Sequence, residues 1–300
     1  MPGTSPTFAR KGRALLPGQR SELTIISADG SNRQVIFTAD EIIEAPNWTP
    51  DGAALIFNAG GEIWRIAADG SEGPTRIETG ALRDLNNDHV LSPDGRTIYL
   101  SSNDGHLYSV PVTGGEPRRI SNTHAAPHHY YLHGISPDGA TLSYVAVEGP
   151  AGHKRINLFT IPATGGPDTR LTDLSQPHDG PEYSPDGRWI YFNSERASPG
   201  HAQCFRMLLD TDIIEQLTFD ERVNWFPHIS PDGYSVVYLS FPPGTQGHPP
   251  DKDVILRFMR PDGAGQRDII AFFGGQGTIN VNSWAPDSQR FAYVAYPVSR

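Results

Sequence analysis

The sequence predicts an all-β fold, a six-bladed β-propeller, from three observations. A tetrapeptide turn motif recurs six times, as TPDG at 49–52, as SPDG at 92–95, 136–139, 184–187 and 230–233, and as APDS at 285–288. Successive motifs are 43 to 55 residues apart, a period typical of one four-stranded sheet per repeat. An alternating apolar run follows each motif, which indicates a strand.

The chemistry of the turn motif explains why it recurs. Its proline presets the first φ angle of a tight turn, its aspartate can bond to the local backbone, and its glycine supplies a positive φ. We therefore interpret the repeated aspartates as structural turn residues and not as metal ligands: Asp51, Asp94, Asp138, Asp186, Asp232 and Asp287.

The strands of each repeat follow in order around its motif. A first strand leads into the turn, and the second strands after it read ALIFNA, TIYLSS, TLSYVAV, WIYFNS, SVVYLSF and FAYVAY. Third strands such as EIWRIAA and NLFTIPA come next, and short turns such as ATGG lead to a more polar fourth strand. Loops between blades and between second and third strands therefore share one rim, which we call the upper rim.

The two ends of the chain are predicted to complete one blade together. Residues 22–38 read as a third and fourth strand with no first or second before them, and residues 281–297 read as a first and second strand. Pairing these segments closes the ring and removes its exposed sheet edges. We expect residues 21–300 to form a single propeller domain and residues 1–20 to be a flexible tail.

Composition limits the partners and the compartment. The formal net charge of -10 argues against nucleic acid as a partner. The single cysteine, Cys204, lies in a strand-like run and is expected to be a buried thiol. No apolar segment has the length of a signal peptide core or a membrane span, so we expect a cytoplasmic protein with no membrane partner.

The SPDG turn followed by a hydrophobic second strand resembles the WD40-like repeat of the TolB propeller domain, and related repeats occur in prolyl oligopeptidase-type propellers. The resemblance covers about residues 21–300. It implies a TolB-like fold and, as in TolB, a scaffold that binds protein partners. A narrower resemblance is to the oligogalacturonate lyases, which look like metal enzymes with His and Gln ligands at the channel mouth. That resemblance implies a metal-ligand role for Gln276, nine residues before Ala285.

Polar residues in the predicted first strands point to a site around the central channel, where the family resemblance places function. These stretches read EAPNW, NNDHVL, YYLHGI, HDGPEY, NWFPHI and INVNSW. Imidazole and carboxylate groups suit proton transfer, so the catalytic candidates are Asp88, His89, His133, Asp179 and His228. The ligand-binding candidates are Glu44, Asn47, Asn86, His178, Arg222, Trp225 and Asn280. Trp225 is either part of the core between blades or a stacking platform for a sugar ring.

Imidazole combined with carboxylate also suits a divalent metal such as Mn, Zn, Fe or Ni. The metal-ligand candidates are His89, His133, His228, His248 and Gln276. A second metal-like cluster is His248 with Asp251 and Asp253 on the longest upper loop. The alternative is a site without any metal.

Two classes of function remain open from the sequence. The first is an enzyme acting on a sugar or uronic acid, by metal-assisted lyase or hydrolase chemistry. The second is a non-catalytic scaffold that binds a protein or peptide on the upper loops at 149–154, 194–202 and 241–252. A sensor of small molecules without turnover is a third variant. Concentrated imidazoles and carboxylates favour a small polar molecule or oligosaccharide as the partner.

Overall fold

The computed structural model describes Phe8 and residues 12–298, and within them it contains strands and no helix. No helix capable of spanning a membrane is therefore present in this part of the chain. The strands form six antiparallel sheets, five of four strands and one of three. Neighbouring first strands contact one another, so they lie innermost around the axis and confirm the predicted six-bladed propeller.

The strands of the first three complete blades follow one another along the chain. The chain begins with β1 (Ser21–Ser27) and β2 (Gln34–Ala39). Blade 1 contains β3 (Ile43–Trp48), β4 (Ala54–Ala59), β5 (Glu62–Ala67) and β6 (Thr75–Ile77). Blade 2 contains β7 (Leu85–Leu91), β8 (Thr97–Ser102), β9 (Leu107–Pro111) and β10 (Arg118–Arg119). Blade 3 contains β11 (His128–Ile135), β12 (Thr141–Glu148), β13 (Arg155–Pro162) and β14 (Thr169–Arg170).

The remaining strands complete the ring. Blade 4 contains β15 (His178–Tyr183), β16 (Trp189–Ser194), β17 (Gln203–Leu208) and β18 (Ile213–Gln216). Blade 5 contains β19 (Val223–Ile229), β20 (Val236–Phe241), β21 (Lys252–Met259) and β22 (Arg267–Gly274). The last strand, β23 (Arg290–Ala295), pairs with β1 and so joins β1 and β2 in blade 6.

Blade 6 confirms that both ends of the chain share one sheet, but its innermost strand differs from the expectation. The register of β1 and β23 runs from Glu22 opposite Ala295 to Ser27 opposite Arg290. The segment expected as a first strand contributes only an isolated bridge between Trp284 and Phe291. Local bonding explains the difference, because the side chain of Asn282 accepts a hydrogen bond from Trp284 N (2.9 Å).

The innermost strand of every complete blade contains a β-bulge. The breaks in register lie between Glu44 and Asn47, Leu85 and His89, Leu132 and Gly134, Asp179 and Glu182, and Trp225 and His228. In three of these blades a residue with positive φ precedes a proline, at Ala45-Pro46, Gly180-Pro181 and Phe226-Pro227. Because a bulge changes the direction of side chains, it determines which polar residues of the strand face the axis.

The hydrophobic core lies between neighbouring blades. Large aromatic side chains fill these seams, among them Tyr130, Tyr144, Phe192 and Tyr238. Cys204 is buried as a free thiol, as expected. Each blade is therefore stabilised by the faces of the two sheets beside it, which fixes the first strands around the channel.

Part of the N-terminal segment packs against the propeller. Phe8 is 3% exposed and its ring meets Trp64 edge-on, with centroids 4.8 Å apart. Gln19 Nε2 donates to Asp251 Oδ1 (2.7 Å) and to Tyr296 O (3.0 Å). Residues within 12–20 therefore contact the propeller, while residues 1–7 and 9–11 lie outside the described residues. The expectation of a flexible tail stays a prediction.

Candidate ligand-binding site in the central channel

A cavity of about 350 Å³ opens in the upper part of the channel. Its polar lining includes Asp88, His133, Asp179, His248, Gln276 and Asn280, together with Asn86. These residues come from blades 2, 3 and 4, from the upper loop of blade 5 and from the segment before β23. The structure therefore brings many of the sequence candidates into one cavity, while their catalytic and binding roles stay predictions.

His133 lies at the centre of the cavity's charge network. Its Nδ1 is 3.1 Å from the carbonyl oxygen of Asn280, and its Nε2 is 3.1 Å from Asp179 Oδ1. Both partners are acceptors, so both ring nitrogens carry a proton and the ring is an imidazolium. Burial opposes this charge, but the carboxylates of Asp88 and Asp179 raise the pKa of His133 to about 9.

Asp88 and Asp179 are two carboxyl groups with different ionisation. Burial raises the pKa of Asp88 to about 7, with the negative charges of Asp179 and Glu44 adding to it and the charge of His133 opposing it. Asp88 Oδ2 accepts from Asn86 Nδ2 (3.0 Å), whereas its buried Oδ1 has no partner in the structure. Burial also acts against the Asp179 anion, but its bond to His133 holds its pKa below the usual value. Asp88 can therefore exchange a proton near neutral pH while Asp179 remains an anion.

His248 links the long upper loop of blade 5 to the cavity. Its Nδ1 hydrogen-bonds to Gln276 Oε1, and its Nε2 is 3.7 Å from Asp179 Oδ2. Burial lowers the pKa of His248. The indole of Trp225 packs on this imidazole with ring centroids 4.4 Å apart and is 5% exposed. Trp225 thus packs in the core between blades, as one of the two interpretations expects, and part of its ring also lines a neighbouring cavity.

Two cavities adjoin the first. One, of about 410 Å³, is lined by Arg13, Glu44, Asn86 and Gln276 among others. Burial raises the pKa of Glu44, although the nearby Arg13 opposes this. The other, of about 480 Å³, includes Asp179, His248 and Gln276 in its lining and contains His178. Gln276 lines all three cavities and is thus the point at which they meet.

Two histidines predicted as catalytic residues and metal ligands lie outside the cavity. His89 is buried, its Nδ1 is 3.2 Å from Asn87 O, and burial lowers its pKa to about 4. His228 is held between Glu182 Oε2, 2.6 Å from Nδ1, and Ile279 O, 2.5 Å from Nε2. Neither lines any of the three cavities, because the bulges of β7 and β19 direct these rings into the protein.

Two ligand-binding candidates are also engaged elsewhere. Arg222 donates to Ser240 Oγ (2.9 Å) and to Ser240 O (2.8 Å), so its guanidinium holds the upper end of β20. Asn47 Nδ2 donates to Asn282 O (2.6 Å), which ties blade 1 to blade 6. None of the three cavities includes Arg222 or Asn47, and their ligand-binding roles stay predictions.

The predicted metal site does not form in the part of the chain that the structure describes. No group of three or more His, Cys, Asp or Glu side chains there is arranged to hold an ion. The ring nitrogens of His133 and His228 are taken up by carboxylate and carbonyl oxygens. Asp251, expected to join His248, instead accepts from Gln19. The residues present therefore do not fit a resident metal.

Sequence reasoning missed Arg13, and it missed the pairing of Glu182, a polar residue expected to face the channel, with His228. Arg13 lies over the ring of Tyr296 at 4.2 Å and donates to Gln276 O (3.1 Å), although it stands in a segment without strand periodicity. Glu182 follows the Gly180-Pro181 pair and binds His228. That pair repeats the pattern of Ala45-Pro46 and Phe226-Pro227, a signal that would have revealed the inward bulges.

Comparison with known proteins agrees with this architecture. Residues 134–254 match the TolB beta propeller domain family. An uncharacterised protein of Agrobacterium fabrum is 37% identical over 281 residues, covering 92% of each chain. The fold and the axial cavity thus define a six-bladed propeller with a polar central site. At this identity and coverage, the chain belongs to the TolB-type β-propeller family.

One solved structure and a further relative are described as TolB proteins, and a second solved structure shares only the fold. A structure described as a putative TolB from Agrobacterium tumefaciens has a TM-score of 0.85 and 37% identity, covering 93% of this chain and 99% of that one. TolB of Francisella tularensis is 25% identical over 94% of this chain, which spans 62% of that protein. An oligogalacturonate lyase in complex with manganese has a TM-score of 0.57 at 15% identity, covering 85% of this chain and 74% of that one, and shares the fold alone.

The ionisation of the cavity predicts how stability depends on pH. The folded pKa of His133, about 9, lies above the value of 6.5 expected in the unfolded chain. Its contribution is therefore fully present below pH 6.5 and is lost as the pH rises through about 9. We expect the wild type to lose about 3 kcal/mol of unfolding free energy across this range because of His133.

Urea denaturation at pH values across this interval measures the effect. The double variant Asp88→Asn/His133→Gln lacks both coupled groups and should show a flatter dependence in the same interval. An equally steep loss of stability in the double variant would contradict the assignment of the imidazolium to His133.

Proposed function

We propose that this protein binds a small neutral polyhydroxylated molecule, with a sugar as the best fit, in the 350 Å³ channel cavity. The observation that carries the proposal is the buried carboxyl of Asp88, whose Oδ1 has no hydrogen-bond partner in the structure. A buried acceptor of this kind costs free energy unless a ligand pairs with it. Hydroxyl groups both donate and accept, so they suit a cavity of carboxylates and amides.

The charges around the cavity support a neutral sugar over a uronic acid. The imidazolium of His133 is already paired with Asp179. The guanidinium of Arg13 lies 3.7 Å from Glu44 and 3.8 Å from Asp251. The carboxylate of a uronic acid would therefore lie close to the carboxyl groups of Asp179, Glu44 and Asp251, and the described lining offers no unpaired cation to bind it.

Acid–base chemistry at Asp88 is the reaction that this set of residues can support. With a pKa of about 7, its carboxyl can donate or accept a proton at Oδ1 near neutral pH. Asp179 remains an anion beside it and can stabilise developing positive charge. We therefore propose hydrolase-type proton transfer, without a step through a metal, as the chemistry of an enzymatic role.

The alternative role, a scaffold for a protein partner, has less support. Strongly exposed aromatic side chains among the described residues are scattered, with Phe219 on the upper rim and Tyr234 beside a turn motif on the opposite face, each 75% exposed. Protein interfaces usually present such anchors as a cluster. The relatives named TolB are the reason to keep this alternative.

The proposal is tested by isothermal titration against neutral sugars and uronic acids. We expect a neutral sugar to bind the wild type and Asp88→Asn to weaken this binding at least about ten-fold. The asparagine side chain cannot ionise, and in one of its two orientations its NH₂ group, a donor, takes the place of the free acceptor Oδ1. Asp210→Asn, at an exposed carboxylate, is the matched control and should bind as the wild type does. Binding of uronic acids alone, or equal affinity in Asp88→Asn, would overturn the proposal.

A further inference from the structure

The 480 Å³ cavity beside the channel cavity has a lining of a different character. It shares Ile156, Asp179, His248 and Gln276 with its neighbour, so the two are adjoining compartments. Its own walls include Pro177, Trp225, Pro249 and Pro250. A mostly apolar wall with a few polar groups is the usual composition of a small-molecule site.

His178 is the unpaired polar group of this second cavity. It is the first residue of β15, its side chain is 0% exposed, and neither of its ring nitrogens has a hydrogen-bond partner in the structure. Burial, with a smaller effect of the Arg196 charge, lowers its pKa to about 4. At neutral pH the ring is therefore uncharged and carries one donor and one acceptor, both unused.

A second unpaired group lies in the same wall. The indole Nε1 of Trp225 is buried without a partner, although Trp side chains usually find one when buried. Each unpaired buried group costs about 1–3 kcal/mol. Two such groups in one apolar cavity indicate a ligand that brings hydroxyl groups together with an apolar face, as a sugar ring does.

We propose that this cavity is a second subsite, so that the preferred ligand is a neutral disaccharide with one ring in each compartment. The inference rests on the proposed function of the channel cavity and specifies the size of its ligand. His178 pairs with a hydroxyl of the second ring. Asp179, the next residue, belongs to both compartments and lies where the two rings meet.

The test compares glucose and galactose with maltose, cellobiose and lactose by isothermal titration. On the wild type we expect at least one disaccharide to bind about ten-fold tighter than its monosaccharide. His178→Leu should bring this ratio close to one, and His153→Leu, at an exposed histidine, should leave it unchanged. Gln246→Trp, which narrows the second cavity from an exposed position, should act as His178→Leu does.

Stability separates this role from a structural one. Because His178→Leu removes two unpaired buried nitrogens, it should raise the urea midpoint of the free protein, whereas loss of a structural histidine would lower it. A lowered urea midpoint of His178→Leu, or an unchanged ratio of disaccharide to monosaccharide affinity in that variant, overturns the second subsite. If single sugars still bind the wild type, the proposal for the channel cavity is not affected. Failure of every sugar to bind the wild type overturns both.

Discussion

Replacing Glu182 with glutamine is expected to lower the free energy of unfolding by about 3–5 kcal/mol. Glu182 is buried and accepts three hydrogen bonds, from His228 Nδ1 (2.6 Å), Ile229 N (3.0 Å) and Asn282 Nδ2 (2.6 Å). Glutamine has the same shape but only one acceptor oxygen, so its amide group would face a donor. The variant would also replace the carboxylate partner of His228 Nδ1 with an amide, while Nε2 stays against Ile279 O.

Urea denaturation followed by tryptophan fluorescence measures this loss. Glu72→Gln makes the same chemical change at an exposed position and should leave the midpoint nearly unchanged. A double-mutant cycle with His228→Gln should show strong coupling, with the double variant less destabilised than the sum of the single ones. If Glu182→Gln is as stable as Glu72→Gln, the hydrogen bond between Glu182 and His228 is not a structural one, and a chemical role for His228 would again be open.

Replacing Gly134 with alanine is expected to cost about 3 kcal/mol or more, because a methyl group does not fit between blades 3 and 4. A Cβ at this position would overlap Ser143 Oγ, and it would lie 2.8 Å from Pro181 O and 3.1 Å from the Cα of Glu182. It would also disturb the hydrogen bond that Ser143 Oγ donates to Pro181 O (2.7 Å). Two of these three neighbours are backbone atoms and cannot rotate away.

The matched control is Gly73→Ala, since neither glycine has a positive φ and a Cβ on Gly73 would have no atom within 4 Å. Urea midpoints of the two variants give the comparison. Because His133 precedes Gly134 in the same strand, the alanine variant should also flatten the pH dependence described for the channel imidazolium. Equal midpoints for the two variants would show that the seam between these blades tolerates an added methyl group.

The fold could be predicted from the sequence because its determinants are local. Each turn motif contains its own proline and aspartate, nearly always with a glycine, and in the structure the aspartate accepts the expected bonds, as Asp94 does from Ser92 Oγ (2.6 Å) and Arg96 N (3.0 Å). Because one turn motif occurs in each blade, the number of motifs along the chain predicts the number of blades. The irregular innermost strand of blade 6 followed no such rule, since Asn282 combines its local bond to Trp284 N with bonds to Glu182 and Ile229 in blades 4 and 5.

The candidate site could be predicted only in part. The polarity of the first strands correctly indicated which strands surround the cavity, and Asp88, His133 and Asp179 lie in it together. In a regular strand, alternate side chains point to opposite faces of the sheet. The bulge before His228 breaks this alternation, so the face on which His228 lies cannot be counted from the residues before it. The positive φ of Phe226, 53°, is a strained state for a bulky residue and is not visible in the order of polar and apolar residues.

The pairing of residues 19–20 with 297–298 gives the molecule a cyclic character. Arg20 N donates to Pro297 O (3.1 Å), and Gln19 bridges Val298. Because the two termini lie together, no blade is first or last in space. A circular permutation that joins these termini and opens the chain between two other blades would therefore preserve the same fold.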